Sequence, residues 1–344
     1  MLNWRLTEPI DPSVLTKFPD IDPVILELLW QRGVREAKDI DLFLHPDYQD
    51  LHDPFLFRDM PKLIDRVRVA LAKSETVCVY GDYDTDGVCS SVLIVEALQA
   101  VGIKNVFPYI PHREKEGYGL NKEAIDYIKS QGASLIITVD CGSSNVAEVA
   151  QARALGLDVI IIDHHEEPPQ LPQGVTAFLN PHLAGETYPF CELAAVGVAF
   201  KVVQAIWQSF NLPTGHERWF LDIVAIATIT DMMPLLNENR IFVHFGLLVL
   251  NKTKRLGLQA LLKSMGGENE LGVYDIGFKI GPRLNAAGRI DHANSAYELL
   301  IEKDLGQANE LAQALSATNV ERQSETERIL RAALEQVATQ VPQN

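Results

Sequence analysis

The chain has 344 residues, of which 47% are hydrophobic and 22% charged, a composition ordinary for a globular protein. Its formal net charge of −16 argues against a protein that coats nucleic acid by bulk attraction, but it is compatible with a local basic groove. The sequence shows no signal peptide, no apolar stretch long enough to span a bilayer and no C-x-x-C pair among its four cysteines. We therefore expect a cytoplasmic protein with no membrane partner.

Residues 1–72 predict a mixed helical and irregular N-terminal segment. Short helices are expected at Asp22–Arg32 and Ile40–Leu44, followed by an irregular stretch that contains several prolines. Apolar residues then recur at helical spacing over Lys62–Ala72.

Residues 73–235 predict an α/β domain. Apolar strands are expected at Thr76–Tyr80, Asn105–Ile110, Ser134–Val139 and Asp158–Ile162. Helices are expected between and after them, at Val88–Val101, Asn121–Gln131 and Asn145–Leu155. Strands that are apolar throughout and alternate with helices indicate a parallel sheet with helices on both faces.

The remainder predicts a helical extension over residues 236–300 and a long connecting helix within residues 301–344. Helices are expected at Leu193–Phe210, Glu217–Thr230, Arg240–Asn251 and Leu256–Ser264. The stretch from Gly266 to Ile290 resembles a loop, and one long helix is expected from about Asp304 to about Val337.

Three of the predicted strands run directly into acidic residues. The first ends in the sequence GDYDTDG, the second in Asp140 and the third in Asp163-His164-His165. The carboxyl ends of parallel strands meet at one edge of a sheet, so these groups should gather there. If the chain stays extended, Asp82, Asp84 and Asp86 share one side, and Gly87 allows a tight turn into a helix that begins near Val88. Clustered carboxylates require a counter-charge, and carboxylate oxygens with one imidazole suit Mn²⁺ or Mg²⁺.

Each piece also has an ordinary structural interpretation. An Asp after a strand commonly forms a turn or caps a helix, and Asp231 before Met-Met-Pro is an ordinary helix terminator. Ser143 and Ser144 are interpreted as helix caps rather than nucleophiles. Three separate strands that end in acid nevertheless favour a shared metal site.

Together these motifs resemble a known family. GDYDTDG, VDCGSSN, IDHHE and ITDMMPL, in this order, resemble the four motifs of the DHH phosphoesterases. HREKEGYGL at residues 112–120 and GPRLNAAGR at residues 281–289 are similar to segments of the RecJ branch. The resemblance covers most of residues 20–335 and implies an exonuclease specific for single-stranded DNA, acting 5′→3′ in DNA repair and recombination.

The resemblance also implies roles for individual residues. Two divalent cations, Mn²⁺ or Mg²⁺, would be held by matched ligands, with Asp140 bridging them and Asp82 an additional candidate: Asp84, Asp86, Asp140, His164 and Asp231. His165 would face the scissile phosphate. DNA contacts would come from the GPRLNAAGR segment, through Arg283, Asn285 and Arg289.

RecJ proteins continue past the long helix into a second domain (DHHA1) and an OB-like domain, and we expect both to be absent from this sequence. A separate chain that supplies those domains is therefore a further expected partner. Two alternatives are a DHH-type phosphodiesterase or phosphatase acting on short oligonucleotides or small phosphate compounds, and a RecJ-like binding or scaffold protein without turnover.

Overall fold

The computed structural model of the chain describes residues 9–266, 270–290 and 293–340. Strands β1 to β5 lie, in chain order, at Thr76–Tyr80, Val106–Tyr109, Ala133–Val139, Asp158–Ile162 and Ala177–Leu179. Helices α1 to α7 lie at Pro12–Lys17, Pro23–Gln31, Ala37–Leu44, Met60–Lys73, Thr85–Ala100, Lys122–Ser130 and Val146–Ala154. Helices α8 to α15 lie at Ala195–Ser209, Leu221–Thr230, Asn237–Leu250, Leu256–Ser264, Val273–Asp275, Gly281–Ile290, Asn294–Ile301 and Leu305–Gln340. Short 3₁₀ turns occupy Tyr48–Asp50, Pro54–Leu56 and His216–Phe220, and a π-helical segment occupies Ile276–Ile280.

The five strands form one parallel sheet in the order β2-β1-β3-β4-β5. The chain first adds a strand on one side of β1 and then moves to its other side with β3. This reversal creates a topological switch point between the carboxyl ends of β1 and β3, where open α/β sheets bind their ligands.

Apolar side chains cover both faces of the sheet. Along β1, Val77 and Val79 join the core beneath α4, α5 and α8, whereas Cys78 and Tyr80 join the core beneath α6 and α7. Side chains alternate between the faces of a strand, so a strand buried on both faces must be apolar at every position. The structure therefore confirms the predicted α/β class, a parallel sheet with helices on both faces followed by a helical region.

Most predicted elements occur within a few residues of their expected bounds. The sequence missed β5, which has only three residues, and the short helices α1 and α14. The helix predicted from Glu217 is divided, because a 3₁₀ turn over His216–Phe220 precedes α9.

The loop predicted from Gly266 to Ile290 is wrong over most of its length, although residues 267–269 lie outside the described part of the chain. Residues 273–290 form α12, the π-helical segment and α13. Glycine and proline suggested a loop, but Pro282 lies within a continuous helical run, directly after the π-helical segment. Gly288 is required by packing, because a Cβ there would lie 2.4 Å from the carbonyl oxygen of Tyr83.

The predicted long helix is α15, which has 36 residues and is about 54 Å long. Its first half packs against α11 and α13 through Ala308, Ala312 and Leu315. Among the described residues, no helix is long and apolar enough to cross a membrane. The division of the chain into four predicted regions stays a prediction.

Candidate metal centre

Acidic side chains converge at the carboxyl edge of the sheet, around the switch point. Asp82 follows β1, Asp140 follows β3 and Asp163 follows β4. The backbone N–H of Asp140 donates to the carbonyl of Ile162 at 3.0 Å, which continues the β3–β4 pairing by one residue. Asp140 has a φ of 61°, a left-handed conformation that aspartate tolerates better than most residues and that often marks functional sites.

The loop after β1 is helical earlier than the sequence indicated. Helix α5 begins at Thr85, with Asp84 as its N-cap, and the Asp84 carboxylate accepts hydrogen bonds from the N–H groups of Asp86 and Gly87. The predicted extended alternation of Asp82, Asp84 and Asp86 is therefore wrong. Gly87 serves close packing rather than a turn, because a Cβ there would lie 2.5 Å from the Asp82 nitrogen.

Asp86 is buried in the first turn of α5 and is oriented by a second helix. Its two carboxylate oxygens accept hydrogen bonds from the N–H groups of Ala195 and Val196, at 2.7 and 2.9 Å. These donors form the N-terminus of α8, where the helix dipole favours negative charge.

Three overlapping groups of potential ligands meet at this edge. Asp82, Asp84 and Asp140 form one group, Asp86, His164 and Asp231 a second, and Asp140, His164 and His165 a third, with ligand atoms within 4.8 Å of one another in each. His164 Nε2 lies 3.2 Å from Asp140 Oδ1 and 3.8 Å from both Asp86 Oδ2 and Asp231 Oδ2. All six predicted ligands are thus brought together, with Asp140 and His164 shared between groups.

The acidic groups oppose one another's ionisation. Burial and the neighbouring Asp84 raise the pKa of Asp82 to about 7 and that of Asp231 to about 6. Burial and nearby carboxylates also raise the pKa values of Asp86 and Asp140 well above the usual range. Burial and His165 lower the pKa of His164 to about 4, which leaves a neutral imidazole able to donate an electron pair.

These residues fit a site for hard divalent cations. Carboxylate oxygens with one neutral imidazole are suitable donors for Mn²⁺ or Mg²⁺, and bound cations would offset the repulsion that raises the carboxylate pKa values. Asp82 Oδ1 is buried without a hydrogen-bond partner, as expected of a carboxylate oxygen that a cation would satisfy.

His165 is held at the edge of this cluster and is half-exposed. Its Nδ1 lies 2.7 Å from Asp163 Oδ1, and this hydrogen bond raises the pKa of His165. The Tyr118 hydroxyl donates to the Asp140 carbonyl at 3.1 Å and lies 3.3 Å from His165 Nε2. His165 therefore places a ring that can carry a positive charge beside the metal ligands.

Asp163 was expected only as an acid at the end of a strand, without a role of its own, and Asn180 is a site residue that the sequence did not indicate. Burial opposes ionisation of Asp163, but hydrogen bonds from His165 and Ser143 outweigh it and lower the Asp163 pKa to about 2. Asn180, directly after the unpredicted β5, donates from Nδ2 to the His165 carbonyl and to the Ser143 hydroxyl. The interpretation of Ser143 and Ser144 as helix caps is wrong, since Asn145 is the N-cap residue of α7.

Besides His165, the three DNA-contact residues predicted in the GPRLNAAGR segment lie on α13, beside the metal cluster, in different environments. Asn285 Oδ1 accepts hydrogen bonds from the N–H and hydroxyl of Thr85, between Asp84 and Asp86. Arg283 points toward α15, where its Nε donates to Ser316 Oγ at 3.3 Å and its Nη1 donates to the Lys279 carbonyl. Arg289 is exposed and lines a groove next to Asn285.

Known proteins with similar sequences belong to one family of phosphoesterases. The model of the DHH family, N-terminal domain, matches residues 76–228. The single-stranded-DNA-specific exonuclease RecJ of Bacillus subtilis (strain 168) is 43% identical over 342 residues, which are 98% of this chain and 42% of that protein.

Two solved structures have the same fold. A crystal structure of exonuclease RecJ bound to manganese superposes with a TM-score of 0.76 and 32% identity, and the match covers 83% of this chain and 72% of that one. RecJ in complex with Mn²⁺ from Thermus thermophilus gives a TM-score of 0.79 and 29% identity over 94% of this chain and 45% of that one. The chain spans about half the length of the curated relatives it matches.

Proposed function

Because this chain belongs to the RecJ family of DHH proteins, we propose that it is a metal-dependent exonuclease that hydrolyses single-stranded DNA. The observation that carries the proposal is the convergence of five aspartates and His164 at the switch point of the sheet. The 5′→3′ direction and a role in DNA repair and recombination follow from the family.

The proposed cofactors are two Mn²⁺ or Mg²⁺ ions. Their ligands would be Asp84, Asp86, Asp140, His164 and Asp231, with Asp140 between the two positions and Asp82 as a further ligand. When bound, a pair of such ions lowers the pKa of a coordinated water and stabilises the charge on the phosphate oxygens. The hydrogen bonds from α5 and α8 fix the Asp84 and Asp86 carboxylates before any ion arrives.

His165 would bind the scissile phosphate. Its Nδ1 is engaged by Asp163, and its Nε2, which lies 3.3 Å from the Tyr118 hydroxyl, would donate to a phosphate oxygen in place of that hydroxyl. A positively charged donor forms a stronger and shorter bond to phosphate than a neutral one does. Asp163 acts in this proposal as a positioning residue, since its carboxylate contacts His165 rather than substrate.

Helix α13 would carry the DNA contacts proposed for Arg283, Asn285 and Arg289. Asn285 Oδ1 is occupied by Thr85, so its amide NH₂ remains as a donor toward a sugar or base. Arg289 is exposed and suits a phosphate oxygen. Arg283 Nε and Nη1 already donate within the protein, which leaves only part of its guanidinium for the strand.

The test is degradation of end-labelled single-stranded DNA with Mn²⁺, with Mg²⁺ and with excess EDTA. We expect stepwise shortening of the single strand with metal, none in EDTA, and slow or no cleavage of a blunt duplex. Rapid cleavage of a dinucleotide without attack on long strands would instead favour the small-substrate alternative. Metal-loaded protein that cleaves neither would contradict the proposal and favour a scaffold.

A further inference from the structure

We propose that Tyr274 and Phe278 form a stacking platform for a base of the bound single strand, next to the metal centre. The inference rests on the proposed function and adds a binding position to it. The platform lines an open groove of about 550 Å³ between the end of α9, the π-helical segment, α13 and α15.

The groove lies next to the metal centre. Met232, which lines it, directly follows the candidate ligand Asp231. Asn285, which also lines it, accepts the two hydrogen bonds from Thr85, the first residue of α5, which lies between Asp84 and Asp86. A strand whose phosphate lies at the metal centre therefore has this groove as an adjoining surface.

The two rings present an unusually exposed aromatic surface. Tyr274 and Phe278 are 65% and 68% exposed, and their rings stack on each other with centroids 4.8 Å apart and an interplanar angle of 25°. Neither ring is needed to fill the core. An exposed apolar patch of this kind commonly marks a binding surface, and every base has a flat face that can stack on an aromatic ring.

The basic residues around the platform favour nucleic acid over other ligands. The chain has 46 acidic and 30 basic residues, yet the described residues that line the groove include Arg289 and Arg322 and no carboxylate. Arg322 donates from Nε and Nη2 to the buried Asn319, which fixes its guanidinium beside the groove. Aromatic rings flanked by arginines suit a base together with its phosphate.

The inference is tested by fluorescence anisotropy with labelled oligothymidylate, in EDTA so that the strand is not cleaved. An abasic strand of equal length retains the phosphates but removes the bases. We expect Tyr274→Ala/Phe278→Ala to weaken oligothymidylate binding about 5- to 150-fold and to leave abasic binding nearly unchanged. Tyr274→Phe/Phe278→Tyr should retain wild-type affinity because it keeps both rings. Trp219→Ala is the matched control, since it removes an exposed aromatic ring from a different groove.

Unchanged oligothymidylate binding by the double alanine variant would overturn the inference and assign the rings to a protein contact. An equal loss for both strands would also overturn it, because the effect would then not involve bases. Wild-type protein that binds neither strand would overturn it as well. Wild-type protein that prefers the base-containing strand but does not cleave it with Mn²⁺ would refute only the proposed exonuclease activity.

Discussion

The three adjacent residues Asp163, His164 and His165 face three different neighbours. Asp163 turns into the protein, where it accepts hydrogen bonds from His165 and from the backbone of Ser143. His164 points into the carboxylate cluster, and His165 lies half-exposed at its edge. One short segment thus provides an orienting carboxylate, a candidate metal ligand and a candidate phosphate donor.

The variant Asp163→Asn tests whether Asp163 orients His165 without itself binding metal. Loss of the carboxylate removes the main cause of the raised His165 pKa and the partner that fixes its tautomer. We expect single-strand hydrolysis to fall about 10²- to 10³-fold, as for loss of one charge-stabilising donor, while Mn²⁺ affinity by calorimetry stays near that of the wild type. Asp158→Asn is the control, since Asp158 lies at the opposite end of β4 and pairs with Arg66. A parallel loss of Mn²⁺ affinity would make Asp163 a ligand instead.

Residue type and position predicted that acids placed directly after buried parallel strands would meet, and the resemblance to the DHH phosphoesterases implied the full ligand set, including Asp231 at the end of α9. They did not predict which donors each side chain would find. The Asp84 cap is local, whereas the two α8 N–H groups on Asp86 and the Asn285–Thr85 contact depend on tertiary packing. That packing joins residues up to 200 positions apart in the chain.

At the scale of elements, α13 is the part of the fold that the sequence described least well. The stretch from Gly266 to Ile290 resembles a loop in the sequence, whereas close packing against neighbouring elements favours a helix. Gly281 lies so close to Thr230 that a Cβ would be 2.1 Å from Thr230 Cγ2. Helix α13 therefore lies directly against α9 and the β1–α5 loop, which places its polar residues beside the metal cluster.

Gly288→Ala tests this close approach. A Cβ at Gly288 would meet the Tyr83 backbone, which cannot rotate away, so we expect a destabilisation of about 1–3 kcal/mol in urea unfolding. Gly277→Ala is the matched control, because its Cβ would lie an ordinary 3.7 Å from Ile229. If Gly288→Ala were as stable as the wild type, α13 would not pack on the loop as described.

A buried ion pair joins three other parts of the structure. Lys201 Nζ on α8 lies 2.5 Å from Glu238 Oε1 on α10, and both side chains are fully buried. The Lys201 ammonium also donates to the His52 carbonyl, and Glu238 accepts from the Tyr188 hydroxyl. This network connects the N-terminal segment to the helices that support the sheet.

Lys201→Met should destabilise the fold by about 3–5 kcal/mol, because it leaves the Glu238 charge buried without its partner. Lys201→Met/Glu238→Gln should recover part of that loss, since no charge then remains buried. Urea unfolding measures both, with Arg328→Met as the control from an exposed ion pair on α15. Equal stability of the single variant and the wild type would show that the pair does not join these elements.

At the scale of the whole molecule, the sheet order brings together groups that are far apart in the sequence. The sequence predicted this convergence, because parallel strands deliver their carboxyl ends to one edge whatever their order. It did not predict the order itself, which places β1 beside β3 and so brings the Asp82 loop next to Asp140. The separate chain expected to supply further domains stays a prediction.

The distribution of charge over the whole molecule explains how a net charge of −16 is compatible with a DNA substrate. Part of the negative charge lies in a cluster whose members resist ionisation unless cations are bound. The proposed DNA surface is instead a local one on α13 and α15, where Arg289 and Arg322 line the groove. Overall charge therefore gives little information about the substrate of such a protein.

The most direct test of the central claim is the number of Mn²⁺ ions bound by the folded protein, measured by calorimetry and by electron paramagnetic resonance. We expect the wild type to bind two ions per chain close enough for their spins to couple. Asp140→Asn should lose at least one ion and the spin coupling, because Asp140 belongs to two of the three ligand groups. Asp65→Asn, on an exposed face of α4, should bind as the wild type does. Wild-type protein that binds no Mn²⁺, or Asp140→Asn protein that still binds a coupled pair, would contradict the account.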